Sequence, residues 1–152
     1  MPNYCHNELR ATGSEEAMEK FQKDTINESE ELDFNIAVPA PADIGDGWYD
    51  WNIENWGTKW GPCYPEFPEV STDKGVTEFS VIFDTAWAPP TDWFNALAAR
   101  HPEVTVALAY SEPGMGFEGI VEKKGVSVLL RKEFKTVQSP DSLTHRLRAR
   151  EA

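Results

Sequence analysis

The feature that most constrains the fold is an alternating pattern in the middle of the chain, with apolar residues at every second position. In residues 76–84, "VTEFSVIFD", the apolar Phe79, Val81 and Phe83 occupy every second position. Successive side chains of a strand point to opposite faces, so this pattern predicts a strand in a sheet that is covered on one face. Residues 3–11 alternate in the same way and predict a second strand.

Two helices and three further strands complete the predicted pattern. Ser14 can cap a helix that carries Met18 and Phe21. A second helix is expected after Pro89 and Pro90, with Thr91 as its cap. "EVTVALAY", "GFEGIVEK" and "GVSVLLRKEF" then read as short strands. The order predicts an α+β fold: a ferredoxin-like split βαβ sandwich, with helices on one face of an antiparallel sheet.

Residues 26–75 interrupt this pattern and are interpreted as an insertion. They hold five prolines, many acidic residues and most of the tryptophans, and we expect little sheet among them. At 152 residues the chain has the length of one domain. The prediction is therefore a single ferredoxin-like domain over residues 1–152, with a Pro/Trp-rich acidic insertion at 26–75 and a basic tail at 136–152.

The stretch "WYDWNIENWGTKWG", residues 48–61, holds four of the six tryptophans. Read as a helix, it places one apolar stripe at Tyr49, Ile53, Trp56 and Trp60, which we expect to face the core. Gly57 is unfavourable inside a helix, which indicates either close packing there or a break after Trp56.

A second stripe of the same helix combines an aromatic ring with polar side chains, namely Trp48, Asn52, Asn55 and Lys59. Amides can form directed hydrogen bonds, lysine can pair with an anion, and an indole can stack on a planar ligand or anchor an interface. The alternative is a solvated helix face that happens to contain a tryptophan.

Charge is divided unevenly along the chain. Residues 1–122 hold 6 Lys and Arg against 23 Asp and Glu, whereas residues 123–152 hold 8 against 3. An acidic body repels phosphates, so direct nucleic-acid binding is disfavoured except through the basic tail. The same body can complement a host protein with a basic surface, and Asp43, Asp46 and Asp50 are its candidate contacts.

No cofactor, metal site or membrane span is expected. The three histidines are dispersed without a metal-binding spacing, and no long apolar run or secretory leader pattern occurs. The expected location is therefore the cytoplasm of a host cell.

Several motifs resemble one known family. "MPNYCHNELRATG" resembles the opening of the YubB or Api-like ferredoxin-like family of phage- and plasmid-encoded proteins, with Tyr4 where the family has tryptophan. "WGTKW" at 56–60 and "TAW" with Pro89–Pro90 resemble further motifs, as do the spaced Tyr110, Glu112, Gly114, Phe117 and Gly119. The resemblance implies the ferredoxin-like fold and a mobile-element origin. It supplies no catalytic residues.

Two functions stay open. The first is a small, non-catalytic binding protein of a phage or plasmid that inhibits a host protein, such as a defence or nucleic-acid-handling complex. The second is a binder of a nucleotide-like small anion, which would sequester or hydrolyse it through Trp48, Asn52, Asn55, Lys59, Tyr110 and Glu112. Whether the chain has any enzymatic activity is left open, and the charge balance favours the first function.

Overall fold

A computed structural model describes residues 3–135. The basic tail at 136–152 therefore lies outside the described residues. The helices are α1 (Glu15–Thr25), α2 (Phe34–Ala37), α3 (Trp48–Asn55) and α4 (Thr91–Arg100). The strands are β1 (Tyr4–Ser14), β2 (Glu69–Asp73), β3 (Val76–Ala86), β4 (Thr105–Glu112), β5 (Phe117–Lys124) and β6 (Ser127–Lys135).

All described strands join one antiparallel sheet in the order β2-β3-β1-β4-β5-β6. The first four strands in this order form the split βαβ pattern, because β1 lies between β3 and β4 and each crossover contains a helix. Helix α1 lies in the crossover after β1, and α4 joins β3 to β4. Strands β5 and β6 extend one edge as a meander. The predicted α+β architecture is confirmed.

The hydrophobic core lies on one face of this sheet. Leu9, Phe83 and Leu108 come from three neighbouring strands, and Phe21 of α1 and Phe94 of α4 are buried in the same cluster. The alternation in residues 3–11 and 76–84 predicts which apolar side chains face the core. All of these side chains are buried, as predicted. Trp93 is fully buried as well, although the sequence pattern did not select it.

The opposite face, which we call the open face, carries the alternate residues of each strand. Cross-strand pairing places Asp84, His6, Ser111, Glu118 and Phe134 in one row, from β3 through β1, β4 and β5 to β6. In the described part of the chain no helix packs on this face, since the core cluster contains the buried residues of α1, α2 and α4.

Residues 26–75 contribute one short strand to the sheet and several side chains to the core. The segment does contribute sheet, because Glu69–Asp73 form β2 and pair with β3. It also contributes core, because Leu32, Phe34 and Trp56 are buried in the main cluster. The proline pattern concealed β2 because the strand is short and lies at the edge of the sheet, with its five residues exposed.

The predicted long helix over the tryptophan-rich stretch is also corrected. Helix α3 ends at Asn55, and Gly57 has a φ of 84°. A side chain at Gly57 would meet Asp92 and Thr91 at 3.0–3.2 Å. Both readings of this glycine are therefore correct: the helix breaks there, and the backbone packs closely against the start of α4.

The residues after this break fasten the segment to the sheet, and we call them the α3 joint: Trp56, Gly57 and Thr58. Trp56 Nε1 donates to Val38 O at 3.0 Å, and buried Thr58 donates its hydroxyl to Ala86 O at 2.8 Å. The joint thereby links α3 to the corner between β3 and α4.

Candidate binding surface on helix α3

The apolar stripe assigned to the core is largely on the surface. Tyr49 is 46 % exposed, Ile53 41 % and Trp60 37 %, whereas Trp56 is 5 % exposed. The prediction is confirmed for Trp56 and wrong for the other three. The break at Gly57 takes Trp60 out of the helical period from which the stripe was drawn, whereas Tyr49 and Ile53 lie on the exposed side of α3 itself.

Four of the side chains on this surface are in continuous contact. The rings of Trp48 and Tyr49 pack edge to face at 5.8 Å between centroids. The Lys59 ammonium lies 5.8 Å from the Tyr49 ring centre and 4.5 Å from that of Trp60, within the range of cation–π attraction. We call Trp48, Tyr49, Ile53, Lys59 and Trp60 the surface cluster. Ile53 belongs to it because it follows Tyr49 by one helical turn.

The two asparagines of the second stripe serve the protein itself. Asn52 is buried and donates to Lys59 O at 2.8 Å. Asn55 donates to Trp51 O at 2.9 Å. The expectation that both amides face a ligand is therefore wrong for Asn52, which closes the turn that presents Lys59 and Trp60. Asn55 is half-buried and its amide nitrogen is committed to the helix.

The acidic candidates are on the surface of the same segment. Asp43, Asp46 and Asp50 are all exposed, before and within α3. A helix turns by about 100° per residue, so Asp50 flanks the side that carries Tyr49 and Ile53. An apolar patch beside carboxylates is typical of a protein-binding surface with a polar rim.

Tyr110 and Glu112 lie on β4 and contact residues of the β4–β5 turn and of β5. Glu112 is buried, and its carboxylate accepts hydrogen bonds from the backbone N–H groups of Gly114 and Met115, which ties the β4–β5 turn. Tyr110 is half-buried beside Phe117, with 6.1 Å between ring centres, and burial raises the pKa of its hydroxyl. No hydrogen bond or ring contact within residues 3–135 joins either residue to the surface cluster.

The described residues offer few groups for metal binding or nucleophilic chemistry. Within residues 3–135 no group of three or more His, Cys, Asp or Glu side chains could hold a metal ion. Cys5 is buried and Cys63 half-buried; both are free thiols, and burial raises the pKa of each. A raised thiol pKa disfavours the nucleophilic thiolate. No helix in this part of the chain is long and apolar enough to cross a membrane.

Sequence reasoning missed Tyr49, Ile53 and Trp60 as surface residues. For Trp60 the signal was available in Gly57: a helix that stops there has fewer than three turns over residues 48–55, too short to align Trp60 with Tyr49. Tyr64, Phe67 and Trp87 are exposed aromatics as well, but no pattern in the sequence separates them from core residues.

Comparison with known proteins agrees with this architecture. Residues 55–129 match the family model described as "Ferredoxin-like domain in Api92-like protein". The fold is ferredoxin-like. The matched region begins at the end of α3, includes the α3 joint and extends into β6. This region is therefore similar to the corresponding domain of Api92-like proteins.

A solved structure is similar over a larger part of the chain. The crystal structure of the protein api92 from Yersinia pseudotuberculosis has a TM-score of 0.50 and 15 % sequence identity to this chain. The similarity covers 68 % of this chain and 40 % of the api92 chain, so this protein spans less than half of that relative. At this identity the likeness concerns the fold. The comparison with curated proteins gave no match.

Proposed function

We propose that this chain is a non-catalytic binding protein that docks the surface cluster onto a basic surface of another protein. The observation that carries the proposal is the connected set of exposed rings at Trp48, Tyr49 and Trp60, held around Lys59. At protein interfaces, clustered aromatic residues contribute a large share of the binding energy.

The charge around the surface cluster supports a basic partner. Asp43, Asp46 and Asp50 are exposed in the same segment, and residues 1–122 hold 23 acidic residues against 6 basic ones. Carboxylates around an apolar centre increase the association rate with a basic surface and disfavour acidic partners. The aromatic rings then limit dissociation, since they lose water contact on binding.

The biological setting belongs to the same proposal. The motif resemblance supports a phage- or plasmid-encoded protein acting in the cytoplasm of a host cell, where it would inhibit a host protein such as a defence or nucleic-acid-handling complex. A site for a small nucleotide-like anion is less well supported, because Asn52 and Asn55 commit their amide nitrogens internally and Glu112 is buried.

The test begins with capture from host lysate by three chains: the unmodified protein, the double variant Trp48→Ala/Trp60→Ala, and the control Trp87→Ala. Trp87 is also exposed but lies outside the surface cluster. We expect a protein with a basic surface to be retained by the unmodified chain and the control, and lost from the double variant. Equal retention by all three would contradict a role for the surface cluster.

Kinetics with the captured protein then separate charge from packing. Reversing Asp43, Asp46 and Asp50 to lysine is expected to slow association, while Trp48→Ala chiefly speeds dissociation. Salt above about 0.15 M should also slow association, because the Debye length falls below roughly 8 Å. The matched control reverses Glu15, Glu16 and Glu19 on α1. Salt-independent kinetics, or a co-purified nucleotide that Lys59→Ala displaces, would instead favour the small-anion function.

A further inference from the structure

We propose that strand β6 is a dimerisation edge, where the sheet of one chain continues into that of a second copy through antiparallel pairing of the two β6 strands. β6 lies at one edge of the sheet, and within residues 3–135 only β5 pairs with it. An edge strand presents a row of backbone N–H and C=O groups to another strand. The inference uses no residue of the surface cluster and does not depend on the proposed function.

The length and regularity of β6 suit it to pairing with another chain. It has nine residues, all exposed and none of them proline, whereas the opposite edge strand β2 has five. A bulge lies near its start, opposite Glu122 and Lys123, and from Leu130 to Lys135 its register with β5 is regular. Short strands, prolines and bulges are the features that protect an edge, and the second half of β6 has none of them.

Exposed apolar side chains are concentrated at the same edge. They are Val126 in the turn before β6 and Val128, Leu129, Leu130 and Phe134 within it. Large apolar residues that are grouped on one part of a surface mark an interaction site more often than single ones do.

The order of charges on β6 indicates which strand it can receive. Arg131 and Lys132 are followed by Glu133 and Lys135. A partner strand with charges of one sign would meet a like charge at some of these positions, which is unfavourable. A strand of the same sequence that runs the other way carries both signs in reverse order. The occupant that fits this edge is therefore a second copy of the chain.

A twofold axis restricts how two copies of β6 can pair. A continuous sheet keeps the same face up in both chains, so residues that face each other across the axis point to the same side. Side chains alternate along a strand, and one residue of β6 must therefore face its own copy. The identity of this central residue determines every other pair.

The register centred on Lys132 matches the most side chains. Arg131 of each chain then faces Glu133 of the other, which gives two ion pairs. Leu130 of each chain faces Phe134 of the other, and both side chains are exposed on the open face. Opposite charges and apolar pairs that lie directly across an antiparallel ladder each stabilise it.

Neighbouring registers fit less well. An axis at Arg131 places two arginines together and sets Leu130 against Lys132. An axis at Glu133 sets Arg131 against Lys135. Axes nearer the start of β6 extend further into the bulge, and axes nearer its end shorten the paired stretch.

The contact of Lys132 with its own copy has a partner of opposite charge nearby. Leu130 pairs with Glu122 and Lys132 with Ile120, so Glu122 is the diagonal neighbour of Lys132 on β5. Diagonal neighbours are within reach of long side chains, and the two ammonium groups can turn apart towards the two carboxylates.

The first measurement is the mass of the full chain in solution, by light scattering after gel filtration over a range of concentrations. The chain has a mass of 17.1 kDa, and we expect a dimer that dissociates on dilution. A monomer at every concentration would overturn the proposal. Masses that grow beyond the dimer would indicate head-to-tail joining of β6 to β2, and would overturn the twofold arrangement.

Cross-linking then tests the register. In a Cys63→Ser background, Lys132→Cys places two thiols opposite each other with Cα atoms about 5 Å apart, within the range of a disulfide. Leu130→Cys is the matched control, because its two copies lie four residues apart, about 14 Å. We expect a rapid disulfide dimer from Lys132→Cys only. Equal cross-linking of both variants, or none, would contradict this register.

A charge exchange tests the cause. Arg131→Glu and Glu133→Arg should each raise the dimer dissociation constant about tenfold or more, because each creates two like-charge pairs. The double variant should return it to within about threefold of the unmodified value, since the pairs are restored in reverse. Lys74→Glu, exposed in the β2–β3 turn, controls for net charge and should have little effect. Failure of the double variant to recover would overturn the pairing of Arg131 with Glu133.

Discussion

The two halves of the tryptophan-rich stretch have opposite roles although their compositions are alike. The α3 joint buries Trp56 and Thr58 against Val38 and the β3–α4 corner. The surface cluster on either side of it exposes Trp48, Tyr49 and Trp60. The difference shows that a run of aromatic residues is not one functional unit: the backbone turn at Gly57 separates a buried ring, Trp56, from an exposed one, Trp60.

The joint also explains why the surface cluster has a fixed shape. The backbone N–H of Trp93 donates to Trp56 O at 3.3 Å, and the Asn52 side-chain amide donates to Lys59 O at 2.8 Å. The turn that carries Lys59 and Trp60 is thus tied to α4 on one side and to α3 on the other. Rings held in place lose less conformational entropy when they bind a partner.

The largest expected effect separates the two halves by stability. Trp56→Ala should lower the free energy of unfolding by about 3–5 kcal/mol, because it leaves a cavity beside Phe34 and Trp51. Trp48→Ala should change it by about 0.5 kcal/mol or less, since its ring is 39 % exposed. Urea denaturation measures both. Similar losses from the two variants would remove the distinction.

The next effect concerns the backbone that divides the halves. Gly57→Ala should cost roughly 2–3 kcal/mol, because its φ of 84° disfavours a side chain and the new Cβ would press on Asp92 and Thr91. Gly61→Ala is the matched control, since a Cβ there meets nothing within 4 Å. If Gly57→Ala is as stable as the unmodified chain, the break at the joint is misplaced.

A smaller effect is expected from the buried hydroxyl of the joint. Thr58→Val keeps the shape of the side chain but removes the hydroxyl that donates to Ala86 O at 2.8 Å, a carbonyl that retains the Ala88 N–H donor at 2.9 Å. We expect a loss of about 1–2 kcal/mol in thermal or urea unfolding. Thr72→Val, on the exposed edge strand β2, is the comparison and should cost less. The reverse order would show that Thr58 does not fasten the segment.

The smallest effect belongs to the surface cluster. Lys59→Ala should cost no more than about 0.5–1 kcal/mol, the size of an exposed cation–π contact. Lys59→Met keeps the apolar stem and isolates the charge. A loss as large as that of Trp56→Ala would mean that Lys59 is a buried structural cation.

The sequence was sufficient to predict the described strands other than β2, and alternation in residues 3–11 and 76–84 identifies which side chains face inward. Strand β2 was not predictable in this way, since an edge strand with both faces exposed has no buried period. The joint was half predictable: Gly57 indicated a break, but the contacts of Thr58 with Ala86 join residues far apart in the chain. Periodicity carries no information about such contacts.

The sequence indicated a segment for the candidate site, but several side chains of that segment have other surroundings than the sequence pattern indicated. Trp48 and the three aspartates are exposed and Lys59 is half-buried, while Asn52 and Glu112 are buried. An amide on a helix looks the same in sequence whether it faces solvent or closes a turn. Only the path of the chain after Gly57 decides, because it brings Lys59 O to Asn52.

The central claim, that one short stretch is divided into a buried joint and an exposed surface, has a direct measurement. The indole N–H signals of the chain can be assigned by single Trp→Phe substitutions and then followed as a soluble paramagnetic agent is added. We predict strong broadening for Trp48 and Trp60 and protection for Trp56, whose N–H is bonded to Val38 O. Protection of Trp48 and Trp60, or broadening of Trp56 to the same extent as these two, would contradict the account.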